Sequence, residues 1–184
     1  MAPIPYVSYS PEGMAARWLR WAASVTSMRS PVSDTTGKWA GFNQPDDVWF
    51  LAGSFGATVE RRCSIPAGRP LFLPAVNKWY VQAYGPPPGV DRAFGKVVVD
   101  GKDLLAEEVS TPIPFEVAGA WANSVNQTSR PVPMTVWGLW KYLEPLPTGA
   151  HTLRIVGGDG YGFRLAVTYH VTVVGPAGRE SEAV

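Results

Sequence analysis

The side chains whose ordinary titration lies nearest neutrality in this 184-residue sequence are few: two histidines, His151 and His170, and one thiol, Cys63. Proton transfer favours a group that titrates near neutrality, so His170, with the carboxylate Glu60, is the candidate acid/base residue. His170 shares an alternating polar face with Arg164, Thr168 and Thr172, whereas His151 follows Thr148-Gly149 and is suited to satisfying that turn. Glu60 lies beside Arg61 and Arg62 and reads first as a paired surface charge. Asp46 and Asp47 are consecutive at the start of a strand, so they point to opposite faces, which argues against a two-carboxylate dyad. One thiol and two histidines supply neither an intrachain disulfide nor a cysteine-based zinc site, and no metal or cofactor is expected. Gly157-Gly158-Asp159-Gly160-Tyr161-Gly162 lacks the Lys-Ser/Thr pair and the helix of a phosphate loop, and reads as a hairpin connection. Nothing has the G-x-S-x-G form of a nucleophile elbow.

Rings are the unusual resource. Eight Trp, seven Tyr and seven Phe offer large apolar area, and an exposed ring on a sheet stacks against a sugar or a planar apolar molecule. Trp18, Trp21 and Trp49 sit in periodic apolar runs and read as core. Trp79, Tyr80, Tyr84 and Trp121 fall in two connections longer than a sheet protein needs. The first, residues 77–95, is stiffened by Pro86-Pro87-Pro88; the second, residues 118–133, carries Asn123, Asn126, Gln127 and Ser129. Trp137 and Trp140 are three positions apart, so in a regular strand one faces the core and the other a groove. These six rings are the candidate ligand-facing residues. Cys63 lies in a strand run and reads as an inert, buried thiol.

The elements that must hold these groups are legible from periodicity. Ser10 is a good N-cap before Pro11, and Met14, Trp18, Trp21 and Val25 recur on one face, so an amphipathic helix is expected over residues 11–28. From residue 47 onward the pattern becomes strand-like. Strands are expected at 48–52, 57–65 and 71–73, the last ended by Pro74, and then at 96–99, 114–117, 135–143, 151–156 and 163–173. Asp100-Gly101 is the strongest two-residue hairpin signal. Nineteen glycines and eighteen prolines, about a fifth of the chain, argue against a helical bundle. The expectation is an all-β fold, an antiparallel β-sandwich of jelly-roll or Greek-key type carrying one N-terminal helix. It would form a single domain over 1–174 with a flexible tail at 175–184.

Several motifs recur in a fixed order: Ala16-Arg17-Trp18 and Trp21, Asp34-Thr35-Thr36-Gly37, Gln44 before Val48-Trp49-Phe50-Leu51-Ala52-Gly53, and Arg61/Arg62-Cys63-Ser64-Ile65-Pro66-Ala67-Gly68. They continue through Leu71-Phe72-Leu73-Pro74 with Asn77, Val99-Asp100-Gly101, Thr148-Gly149-Ala150-His151-Thr152-Leu153 and Thr168-Tyr169. In that order the chain resembles a largely uncharacterised group of bacterial, mostly exported β-sandwich proteins. The resemblance implies the fold and assigns no reaction or catalytic residue. Members of that group carry a second cysteine before the segment equivalent to Gln44, which could pair with the equivalent of Cys63. Here that cysteine and an export signal are both missing, as would suit a descendant kept in a reducing cytoplasm.

Charge narrows the partners. Sixteen basic against fifteen acidic side chains leave a formal charge of +1, without the basic surplus that binding to a nucleic acid backbone exploits. No apolar stretch is long enough for a membrane span, and Met1-Ala2-Pro3-Ile4-Pro5 has no signal character, which points to the cytoplasm unless a signal has been removed. Three functions remain open. The first is a cofactor-free binding module holding a carbohydrate or an apolar small molecule in an aromatic-lined cleft. The second is a small cofactor-independent enzyme, a cyclase, isomerase or hydrolase, in which His170, Glu60 or a Tyr moves a proton inside a Trp-rich pocket. The third is an assembly protein, a homo-oligomer joined through its aromatic loops.

Overall fold

The computed structural model describes residues 1–175, so all but the first residue of the expected tail lies outside the described residues. Helix α1 spans Pro11–Ala23, with Gly13 N donating to the Ser10 hydroxyl at 3.1 Å as its N-cap. It is shorter than the periodicity suggests: Ser24, Val25 and Thr26 are weak helix formers, Thr26 is extended, and Ser27–Arg29 forms a separate 3-10 turn.

Ten strands follow among the described residues: β1 (Trp49–Phe50), β2 (Thr58–Pro66), β3 (Leu71–Val81), β4 (Phe94–Val99), β5 (Lys102–Leu105), β6 (Glu107–Ser110), β7 (Phe115–Val117), β8 (Val132–Leu143), β9 (Gly149–Gly158) and β10 (Arg164–Val174). One sheet has the order β1-β3-β8-β6, with β7 also on β8, and the other the order β2-β10-β9-β4-β5. The helix packs on the first sheet and the second sheet covers its far side. The first sheet is therefore a middle layer, apolar on both faces. Phe72, Met134, Val136 and Trp140 meet the helix, while Leu71, Leu73, Ala75 and Leu143 meet the second sheet.

The all-β sandwich with one N-terminal helix is as expected, but the sheets are mixed rather than wholly antiparallel. β1 runs parallel to β3 and β2 parallel to β10. The chain alternates between sheets from β1 to β2 to β3, so β1 and β3 need no hairpin between them. Pro74 does not end its strand either. A register shift between Pro74 and Val76 lets β3 continue to Val81, which moves Asn77, Lys78, Trp79 and Tyr80 out of the expected connection and into a strand. Asp100 and Gly101, at φ 49° and 81°, form the foreseen β4–β5 turn.

One polar hub crosses the layers. Arg61, next to the exposed Glu60, is 1% exposed. Its guanidinium donates to Asp34 O (2.7 Å), Val32 O (3.1 Å), Ala52 O (2.8 Å), Gly53 O (3.0 Å) and the Tyr169 hydroxyl (2.7 Å). Five donors in a rigid planar fork are what let one side chain tie two loops to β10. The Asp34 carboxylate is in turn held by Thr36 N, the Thr36 hydroxyl and Trp39 N. Although burial alone would raise its pKa, those bonds to the charged form leave it lowered.

Candidate functional site

The site originates in a mismatch of strand lengths. β3 has eleven residues, but β1 pairs with it only at Leu71 and Phe72. Leu51 N still donates to Phe72 O at 3.2 Å, after which the chain departs. Arg61 holds the Ala52 and Gly53 carbonyls, and the Ser54 hydroxyl closes a turn by donating to Ala57 O at 2.7 Å and accepting from Ala57 N at 3.0 Å. Between this turn and the far half of β3 the sandwich stands open.

The opening holds a hollow of about 200 Å³, lined by Trp18, Val32, Gly53, Ser54, Phe55, Asn77, Lys78, Trp79, Phe163 and Leu165. A second hollow of about 210 Å³ shares Asn77, Lys78 and Phe163 with it and adds Val76, Val90, Trp137 and Asp159. Trp79 is fixed at its far end, where Nε1 donates to Val125 O at 3.1 Å, and Phe55 meets it edge to face at 6.0 Å. Trp137 Nε1 donates to Glu108 Oε1 at 2.7 Å.

The β9–β10 connection carries Phe163 into the cleft and is ordered by Asp159. Its Oδ1 accepts from Tyr161 N (2.8 Å) and Phe163 N (3.0 Å), an Asx-type arrangement. The Tyr161 hydroxyl then donates to Asp91 Oδ1 at 2.6 Å, and the Arg92 guanidinium lies 5.3 Å from the Tyr161 ring centre. Gly160 is needed at the contact: its φ is +77°, and a Cβ there would meet Arg92 Cβ at 2.4 Å. The glycine-rich run thus positions one cleft wall.

Polar groups in the cleft are sparse and incompletely used. Asn77 Nδ2 is buried with no hydrogen-bond partner among the described residues. Lys78, opposite Trp137 across the β3–β8 pair, makes no ion pair among the described residues; its Nζ lies 5.7 Å from the Tyr80 ring centre. Among the described residues no three of His, Cys, Asp and Glu converge as metal ligands would.

Of the six candidate rings, Trp79 and Trp137 line the cleft, one in each hollow. Tyr80 points to the other side of β3 from Trp79, and its hydroxyl donates to Pro88 O at 3.3 Å. Tyr84 is 95% exposed and Trp121 77% exposed, and neither lines a hollow. Trp140 corrects the expectation outright: it is sealed under the helix, stacked on Phe72 at 5.1 Å and edge-on to Trp18 at 5.3 Å. Alternation along β8 turns Trp137 to the opposite face from Trp140. Phe55 and Phe163 are not among the expected candidates, and Asn77 and Lys78 entered only through the 77–95 connection, Asn77 also through the resembling motif. Phe55 did carry a signal, a large ring between Ser54 and Gly56 that no strand pattern accounts for.

The candidate acid/base residues lie elsewhere. His170 Nε2 is 3.4 Å from Glu60 Oε2 on the outer face of the second sheet, with side chains 41% and 71% exposed. At that exposure the pair faces solvent on the sheet surface rather than an enclosed cavity. His151 bridges two turns: Nδ1 lies 2.7 Å from Asp100 Oδ2, and Nε2 lies 2.8 Å from Pro147 O. Both neighbours are acceptors, so the doubly protonated ring satisfies both. The Asp100 carboxylate foremost, then the Pro147 carbonyl, raise its pKa above the ordinary 6.5. Cys63 faces inward, and burial pushes its thiol up to about 12.

No family model matches the chain, and no curated protein matches it. Among solved structures it is similar to the solution structure of Amebosin, at 11% identity over 64% of this chain and 96% of that one, with a TM-score of 0.23. At that score the likeness carries no argument. Among the described residues no helix is long and apolar enough to cross a membrane.

Proposed function

We propose that the protein is a binding module whose cleft, between the departing β1 and the far half of β3, holds a ring-bearing small molecule. The observation that carries this reading is the pair of adjoining hollows, walled by Phe55, Trp79, Phe163 and Trp137 and meeting at Asn77 and Lys78. Ring faces supply most of the binding energy, and a few polar groups set orientation. Each hollow is smaller than the roughly 300 Å³ at which pockets for drug-sized ligands begin, so each lobe fits a single ring. A fragment of that size binds weakly, with a dissociation constant on the order of millimolar.

Two probes test this: methyl β-D-glucopyranoside for a sugar and indole for a planar apolar ring. Each is titrated while tryptophan fluorescence and ligand-observed NMR are recorded. At least one should bind, and Trp79→Ala should weaken it about tenfold while Trp121→Ala leaves it unchanged. Failure of both probes to bind, or equal affinity in wild type and Trp79→Ala, overturns the reading.

A further inference from the structure

Resting on that reading, we infer that residues 82–93 form a strap that gates the Trp137 half of the cleft, latched shut by two tyrosine hydroxyls and lifting to admit a ligand of more than one ring. Where the strap lies is the first argument. Val90 lines the Trp137 hollow of about 210 Å³ and also a neighbouring one of about 350 Å³, which Gly89, Asp91, Ala93, Glu108 and Leu139 complete. Trp137, at 3% exposure, belongs to both. Val90 therefore divides what is otherwise one groove over that ring. With the strap lifted, the joined groove passes the roughly 300 Å³ at which pockets for drug-sized ligands begin.

The second argument is how lightly the strap is held. None of residues 82–93 is buried, so little apolar contact opposes its release. Ala83 N donates to Pro133 O at 3.0 Å at the foot of the strap; from there to β4 the only backbone–backbone bond among the described residues is internal, Ala93 N to Val90 O at 3.1 Å. Side chains make the attachment instead. The Tyr161 hydroxyl donates to Asp91 Oδ1 at 2.6 Å, with the Arg92 guanidinium 5.3 Å from its ring centre, and the Tyr80 hydroxyl donates to Pro88 O at 3.3 Å. Tyr161 belongs to the connection that carries Phe163, so the stronger latch is fixed to a wall of the cleft. Pro86-Pro87-Pro88 makes the middle of the strap one stiff piece, and bending concentrates at its ends.

The indole N–H of Trp137 is the reporter, because it is bonded to Glu108 in the hollow that the strap roofs and exchanges with solvent in proportion to the open population. NMR exchange of this proton, assigned with Trp137→Phe, is compared in wild type, Tyr161→Phe and a control at another exposed ring, Tyr142→Phe. Tyr161→Phe should speed it about tenfold, the scale of one hydrogen bond to a charged group. The Trp140 indole N–H under the helix should not change, and Tyr142→Phe should match wild type. Phenyl β-D-glucopyranoside, which carries two rings, should then bind Tyr161→Phe about tenfold more tightly, since a larger fraction of the protein is already open. Equal Trp137 exchange in wild type and Tyr161→Phe, or acceleration that extends to Trp140, overturns the latch. Faster exchange without tighter binding overturns the strap as a gate. If the phenyl glucoside, indole and the methyl glucoside all fail to bind either protein, the ring-binding reading falls, and the exchange rates still decide whether the strap lifts.

Discussion

Two ring clusters share the middle sheet and differ in what covers them. Under the helix, Trp18, Trp21, Phe50, Phe72 and Trp140 form a chain of contacts with centroids 5.1–6.4 Å apart, each ring buried. Around the far half of β3, Phe55 is 53% exposed and Trp79 and Phe163 are half-buried. Side-chain chemistry is much the same in both. What separates them is backbone pairing: the closed cluster lies over a strand paired on both sides at Leu71 and Phe72, the open one where β1 has already left. Phe55, Trp79 and Phe163 stay half-open because no strand continues beside them, whereas Trp137, flanked by β3 and β6, is buried at 3% exposure.

That contrast can be broken most forcefully at the residue that pulls β1 away. Arg61→Met keeps volume but strands the carbonyls of Val32, Asp34, Ala52 and Gly53, so urea denaturation should show a loss of at least about 4 kcal/mol. A loss below about 1 kcal/mol would mean that the hub does not hold the departure. The clusters themselves are compared by Trp140→Ala against Phe55→Ala. The first should cost about 3–4 kcal/mol by opening a cavity, and the second, at a half-exposed turn, under about 1 kcal/mol while weakening ring ligands. Similar stability losses would erase the distinction between core and cleft.

The smallest effect lies outside both clusters, at His151. Because its folded pKa is raised, its contribution to stability is fully present below the unfolded value of 6.5 and is lost as pH rises through the folded value. The lower bound is set by Asp100, whose pKa is depressed, chiefly by the bond to His151, so that stability falls again once its carboxyl is protonated. The urea midpoint of wild type relative to His151→Asn should therefore be highest near pH 6 and converge by about pH 9. A difference that is flat with pH would show that the ring holds its two turns without its charge.

Local patterns made much of this legible. The Ser10-Pro11 start of the helix, the alternation of β10 and the Asp100-Gly101 turn are short-range preferences, and each occurs where the residues suggest. Apart from the end of the helix, the misreadings needed a distant neighbour. Pro74 looks like a stop until β8 is there to accommodate a bulge. Nothing local marks Arg61 as the residue around which the carbonyls of 32, 34, 52 and 53 close. Trp137 and Trp140 are equivalent candidates until the helix covers one face of β8.

By itself, then, the chain determined most of its strands, the start of its helix and the abundance of rings, because propensity and periodicity are written over a few consecutive residues; β5 and β6 it did not mark. It also foretold that Trp137 and Trp140 would face opposite ways. Only the assembled layers decided which ring is sealed, where the sandwich stays open, and that Asn77 and Lys78 sit at the opening. Those outcomes depend on which strand lies beside β3 past Phe72, a contact between segments far apart in sequence that no local pattern encodes.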